Sequence, residues 1–387
     1  MVFRNRDALL HDYVPSRLPH RERELEDLKA YFNPVLRERF SLKIHVNGDV
    51  GTGKTVLCRR LLKFLGEEAS RLGVRLRCAY VNLARSSKFY HAMSDLHAQV
   101  AGVPAAGLSP EQMLVNVLEK IVREDSKLIV VLDEVDTYIG EGGASKIFYL
   151  LPRSYEVCSG AEARVSLIYV SRSFEWMKKL DAATLDTLGR TLAVKLQEYS
   201  MPQVRDIVAY RAEEAFNPGA VGEGVVDFIA YISKSYGGIR YALELLLGAG
   251  VIAERQGFDR VGASEVRMAH AAIPKGVNGA FYPEELSLQK QVLLKSIMGT
   301  LDATSEPFVT LEDVKTNYIE LCGYYNLEPE EDQTLLEYLE DLETEGYILL
   351  RKRRQEVKVG MEYPFNRLEE AVNESLKHEL RHHKPTA

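Results

Sequence analysis

The sequence predicts an α/β nucleotide-binding domain on a parallel sheet, followed by a helical lid and a C-terminal winged helix-turn-helix. Three observations predict it. A complete phosphate-binding loop stands at Gly48-Asp49-Val50-Gly51-Thr52-Gly53-Lys54-Thr55. Strand-like runs alternate with helical periodicity up to residue 196. Three helical patterns and a basic hairpin then close the chain beyond residue 284.

The loop is entered from an apolar run, 41–47, and left by a helical one, 56–65, which is the strand–loop–helix setting it requires. Gly48, Gly51 and Gly53, with Val50 and Thr52 between them, let the backbone form a nest of N–H groups at the positive end of the next helix. Lys54 is placed to reach the β- and γ-phosphates, and Thr55 to put its hydroxyl on Mg2+. ATP or ADP and Mg2+ are the expected cofactors.

Apolar, β-branched runs at 42–46, 75–83, 128–132, 164–170 and 191–196 read as strands, with helices between them covering both faces. Residues 1–196 form the expected base domain. Beyond it the strand signal stops, and 201–216, 224–235 and 240–255 read as helices of a lid spanning 197–276. Residues 273–279 read as a linker. In the last domain, 284–387, Ser287 opens a periodic run to Met298, and Thr310-Leu-Glu-Asp313 has capping-box spacing before a second helix. A third helix, 332–345, stops at Gly346, and 347–363 carries short β-type runs. The final residues are polar and expected to fray.

Composition narrows the function. A net charge of −7 excludes a globally basic coat, so any nucleic-acid surface must be local. Cys58, Cys78, Cys158 and Cys322 show no CxxC spacing, which argues against structural zinc and for a reducing compartment. The charged start carries no signal peptide, and no run approaches a membrane span. An intracellular, nucleoid-associated protein without a membrane partner is expected.

The apolar run 128–132 ends in Asp133-Glu134. A buried strand then delivers two carboxylates beside the phosphate-binding loop. Asp133 is expected to hold Mg2+ through water, and Glu134 to orient and polarise the attacking water. The blander reading, a pair capping a buried strand, loses downstream of a full phosphate-binding loop.

These motifs together resemble the AAA+ origin-recognition initiators, the archaeal relatives of the eukaryotic origin recognition complex and of its helicase-loading partner. The likeness runs from about Phe3 to Phe365. Tyr13-Val14-Pro15, Leu18-Pro19-His20 and Arg21-Glu22 look like the segment that closes over the nucleotide base, which implies base contacts from Val14 and Arg21. Glu198-Tyr199-Ser200 and Tyr210-Arg211-Ala212 resemble the lid motif, implying that Tyr199 and Arg211 line the nucleotide pocket. Gly237-Gly238-Ile239-Arg240 resembles sensor 2, implying that Arg240 reaches the γ-phosphate. Two departures stand out. The family's sensor 1 asparagine is replaced within Ile168-Tyr-Val-Ser171-Arg172-Ser173, and its Leu-Asp-Pro-Arg finger box reads Leu180-Asp181-Ala182-Ala183. Arg172 and Arg190 are the candidates to replace the missing finger. Strong nucleotide binding and slow hydrolysis, used as a switch, are expected.

Arg351, Lys352, Arg353, Arg354 and Lys358 crowd the expected hairpin, opposed in sequence only by Glu356. Such a run is commonly a solvated face, but here it sits where a winged helix meets duplex DNA. Gln333 and Thr334, at the start of the third helix, could reach bases or phosphates, while the acidic residues after them would repel a duplex. The resemblance implies a second contact after the second strand, with Arg85 and Lys88 as candidates beside the alternative of a plain helix-end surface.

The leading expectation is an ATP-dependent initiator that binds duplex origin DNA and helps to load the replicative helicase, alongside other initiator subunits. The helicase role rests on the resemblance. A signalling NTPase whose winged helix binds protein is the alternative, and Ala182-Ala183 disfavours a constitutive motor or clamp-loading subunit.

Overall fold

The computed structural model describes residues 1–86, 88–138, 145–189, 191–273, 282–353 and 356–382. The chain divides into two compact units, Asp12–Gln203 and a second made of Met1–His11 with Val204–Ala387.

The first unit carries the parallel sheet. Its strands are β1 (Lys43–Asn47), β2 (Leu76–Asn82), β3 (Lys127–Asp133), β4 (Val165–Ser171) and β5 (Leu192–Lys195). Their order is β2-β3-β4-β1-β5, with every pairing parallel, so β1 and its loop lie between β4 and β5. All five expected strands are present. The helices are α1 (Glu22–Arg37), α2 (Lys54–Leu72), α3 (Phe89–Ala101), α4 (Pro110–Arg123), α5 (Val135–Tyr138), α6 (Ser145–Leu150), α7 (Ser154–Val157) and α8 (Ala182–Leu188). Alternation along β3 explains why they cover both faces. Ile129 and Val131 pack with α1 and α2 through Leu28, Phe32, Leu57 and Leu61. Leu128, Val130 and Leu132 pack on the other side with Leu96 of α3 and Leu118 of α4.

The second unit holds the lid and the winged helix. The lid is α9 (Met201–Ala215), α10 (Glu223–Ser233), α11 (Ile239–Gln256) and α12 (Ala263–Ala272). The winged helix comprises α13 (Leu288–Thr304), β6 (Phe308–Thr310), α14 (Leu311–Tyr325), α15 (Asp332–Thr344), β7 (Leu349–Arg353), β8 (Glu356–Gly360) and α16 (Asn366–His382). Its antiparallel sheet runs β6-β8-β7. The expected caps form: Ser287 accepts from the Lys290 N–H, and Thr310 makes a capping box with Asp313. The helices α12 and α16 were not anticipated, although Leu368, Val372 and Leu376 of α16 recur every fourth residue and are buried. The expected linker lies, after Ile273, outside the described residues.

Residues 1–11, which the sequence reading counted with the base, pack against the lid. Arg4 and Asn5 donate their backbone N–H groups to the Ala215 carbonyl at 2.8 and 2.9 Å, and the Phe3 ring lies 4.5 Å from that of Phe216. Gly250 makes room for it, since a Cβ there would stand 2.3 Å from Phe3.

Arg267 of α12 fastens the lid to the winged helix. It is 3% exposed, and its Nε donates to Met361 O at 2.9 Å and an Nη to Glu306 O at 3.2 Å. Its guanidinium lies 4.6 Å from the Phe365 ring centroid. No carboxylate pairs with it among the described residues, and burial pushes its pKa down to about 10, so it stays charged at neutral pH. Replacing Arg267 by Ala leaves buried carbonyls without a donor and opens a cavity. We expect a loss of about 3 kcal/mol in equilibrium urea unfolding. A loss under about 0.5 kcal/mol would show that the guanidinium holds nothing.

Candidate nucleotide site and wing

The phosphate-binding loop starts where β1 ends and closes into α2. Gly51 and Gly53 have φ of 80° and 90°, the left-handed conformation that glycine adopts freely. A Cβ on Gly53 would also stand 2.8 Å from the Tyr199 hydroxyl, and one on Gly48 would stand 2.6 Å from Leu196 O. Lys54 folds back over the loop, its Nζ donating to Gly48 O at 2.6 Å and Asp49 O at 2.8 Å. Burial lowers its pKa, while Asp133, Glu134 and Asp136 pull it back up.

Asp133 ends β3 and is 2% exposed. Its Oδ2 accepts from Thr55 Oγ1 at 2.9 Å and from the Tyr80 hydroxyl, and its Oδ1 accepts from the Glu134 N–H at 2.8 Å. Glu134 sits at φ 60°, unusual for a residue with a side chain, and Thr137 braces it by donating both N–H and hydroxyl to Glu134 O. Three further oxygens at this edge, Asn47 Oδ1, Asp136 Oδ1 and Ser171 Oγ, are buried without a hydrogen-bond partner among the described residues. Asn47 and Ser171 stand opposite each other in the β1–β4 register. A hydroxyl, a buried carboxylate and unsatisfied oxygens beside an N–H nest are the donor set that a hydrated Mg2+–nucleotide requires.

Arg21 is 4% exposed and joins the loop to its surroundings. Its Nε donates to Thr52 O at 3.0 Å, an Nη donates to Gln197 O, and its guanidinium lies 4.0 Å from the Tyr199 ring centroid. Arg21 and Tyr199 are thus brought together against the loop, while Val14 is half-buried ahead of α1. Arg211 and Arg240 belong to the other unit. There Arg211 is buried with Nε donating to Ala8 O at 2.7 Å, and Arg240 is exposed in the first turn of α11. At the two departures, the Arg172 N–H donates to Asp136 Oδ2 at 3.3 Å, and Ala183 is exposed on α8 behind its Asp181 cap. Arg190 lies outside the described residues.

The hairpin β7–β8 places Arg351 opposite Lys358 and Arg353 opposite Glu356. Both Nη atoms of Arg351 donate to Asp227 Oδ2 of α10 at 3.2 Å, and Arg205 binds the other Asp227 oxygen. Burial alone would raise the Asp227 carboxyl, but the hydrogen bonds from Arg205 and Arg351 hold it below its ordinary range. Lys352 pairs with Glu340 at 2.5 Å and Lys358 with Glu356 at 3.3 Å. Counting charges along the sequence found Glu356 alone, because Asp227 and Glu340 come from α10 and α15. Arg354 lies outside the described residues. Gln333 is exposed and Thr334 half-buried at the start of α15, and Arg85 and Lys88 are both exposed between β2 and α3.

Comparison with known proteins decides the family. The models for the AAA ATPase domain, the Cdc6 AAA+ ATPase-type lid domain and the CDC6 C-terminal winged helix domain match residues 17–197, 205–271 and 284–370. The ORC1-type DNA replication protein of Pyrococcus furiosus is 32% identical over 357 residues, covering 90% of this chain and 83% of its own. ORC1-type DNA replication protein 1 of Aeropyrum pernix is 35% identical over 330 residues, covering 84% and 82%. The chain belongs to the ORC1/Cdc6 family of DNA replication proteins. Among solved structures, Cdc6p of Pyrobaculum aerophilum shares the fold of this ORC1/Cdc6 chain with a TM-score of 0.82 at 23% identity, covering 98% of this chain and all of that one. The Aeropyrum pernix ORC1 protein in complex with DNA is 31% identical, with a TM-score of 0.64, covering 98% and 97%. An ORC1/Cdc6 protein is an AAA+ ATPase, and the stretch that matches the AAA ATPase domain contains the loop Gly48–Thr55. No helix among the described residues is long and apolar enough to cross a membrane. Sequence reasoning missed Tyr80, Asp227 and Arg267, because each acts on a residue distant along the chain.

Proposed function

We propose that this ORC1/Cdc6 protein is an ATP-dependent replication initiator that binds duplex origin DNA, helps to load the replicative helicase and hydrolyses ATP slowly as a switch. The observation that carries the reading is a nucleotide nest with paired carboxylates on the same chain as a winged helix bearing a basic hairpin. The DNA-bound relative of similar architecture supports it. Thr55 and Asp133 are the residues to hold Mg2+, which supplies charge neutralisation at the β- and γ-phosphates when bound. Lys54 exchanges its two loop carbonyls for phosphate oxygens, and Glu134 orients the attacking water. Arg21 and Tyr199 shape the loop side of the pocket, whereas Val14, Arg211 and Arg240 are assigned to nucleotide by resemblance. An exposed alanine at the finger position supports slow turnover.

The wing supplies the test. Duplex binding is measured by fluorescence anisotropy across a salt series for wild type and for Arg353→Ala/Arg354→Ala/Lys358→Ala. Arg351 is left in place because its side chain is only 15% exposed and both Nη atoms are held by Asp227, whereas Lys358, paired with Glu356, is 38% exposed. We expect affinity to fall more than about tenfold and the salt slope to shrink by roughly two to three. A second reading, a nucleotide switch whose winged helix binds protein, is favoured by one observation: Arg351, Lys352 and Lys358 each already face a carboxylate. Absent binding, or binding indifferent to the wing, selects that reading.

A further inference from the structure

Tyr80 lies on β2, the edge strand of the sheet, and three separate side chains fix it. Gln99 of α3 clamps its backbone, accepting from Tyr80 N at 2.8 Å and donating to Tyr80 O at 2.9 Å. The Arg59 guanidinium of α2 lies 4.9 Å from its ring centroid. Its hydroxyl donates to Asp133 Oδ2, the oxygen that also accepts from Thr55. Strand register does not dictate the last contact, since Tyr80 pairs with Val131 and it is Asn82 that stands level with Asp133. The phenol runs along the strands to reach the carboxylate.

Tyr80 therefore closes the set of donors around one carboxylate. Oδ1 is oriented by the Glu134 N–H, and Oδ2 by Thr55 and Tyr80 together. A carboxylate that binds a cation through water must present its lone pairs in a fixed direction, and outer partners set that direction. We propose that Tyr80 is a positioning residue for the divalent cation, holding Asp133 in the orientation from which it and Thr55 take Mg2+. This rests on the Mg2+–ATP reading above. The role belongs to the hydroxyl alone, because the ring packs beside the α2 face and would do so without it.

Tyr80→Phe isolates that hydroxyl while keeping the ring, its contact with Arg59 and the Gln99 clamp. A fluorescent ATP analogue is titrated into wild type and variant in EDTA, and Mg2+ is then titrated into each complex, with thermal melting as a check on folding. We expect unchanged affinity in EDTA and a Mg2+ midpoint raised about tenfold in the variant. Superposable Mg2+ curves overturn the role of Tyr80 and leave the Mg2+–ATP reading intact. Equal weakening in EDTA and in Mg2+ also overturns it, by showing a structural effect on the pocket. A wild type that binds nucleotide with no response to Mg2+ overturns the cation reading itself, and this inference with it.

Discussion

Replacing Lys54 by alanine is expected to weaken ATP binding on the order of a hundredfold, the loss anticipated when charge-assisted hydrogen bonds to phosphate disappear from a partly buried site. The geometry gives the loss two sources. Lys54 is the cation inside the nest, and its Nζ also ties Gly48 O and Asp49 O together, so the loop loses a brace as well as a charge. Lys54→Arg is not expected to recover the affinity, because a planar guanidinium cannot take the place of a compact ammonium over two loop carbonyls. Equilibrium titration with a fluorescent ATP analogue reads the effect. An affinity within threefold of wild type for the folded Ala variant would remove Lys54 from the phosphate site.

Glu134→Gln is expected to leave that affinity intact and to slow hydrolysis on the order of a thousandfold in single-turnover measurements. The amide keeps the shape of the side chain and the backbone N–H bond to Asp133 Oδ1, so the carboxylate charge is the one thing removed. The left-handed conformation at φ 60° persists because Thr137 holds the Glu134 carbonyl through two donors, which glutamine leaves untouched. Turnover within twofold of wild type would show that another group activates the water.

Both predictions start from contiguous motifs whose chemistry fixes their spacing, and the structure brings the two motifs to the same sheet edge. The five strands were legible for a related reason: buried parallel strands read as unbroken β-branched runs, as in Leu128–Leu132. The caps at Ser287 and Thr310 are likewise local signals. What escaped was set by distance along the chain. Tyr80 reaches Asp133 across 53 positions, and Arg351 reaches Asp227 across 124. The wing looked freely basic in sequence, and the carboxylates that meet it arrive from helices no local window contains. The α12 helix was missed although it carries Arg267, whose partners are backbone carbonyls and aromatic rings that leave no charge pattern to read.

The N-terminal hook on the lid sets an order of events on the ribosome. Phe3 leaves the exit tunnel long before Phe216 and Gly250, which seat it, and before Glu254, 251 positions along from the Phe3 N–H. At about 5–20 residues per second that interval is on the order of ten to fifty seconds. The Asp12–Gln203 unit is complete in sequence before the hook has anything to bind. The opening residues must therefore wait for the lid throughout translation of the base, and their capture reports that the lid has been made.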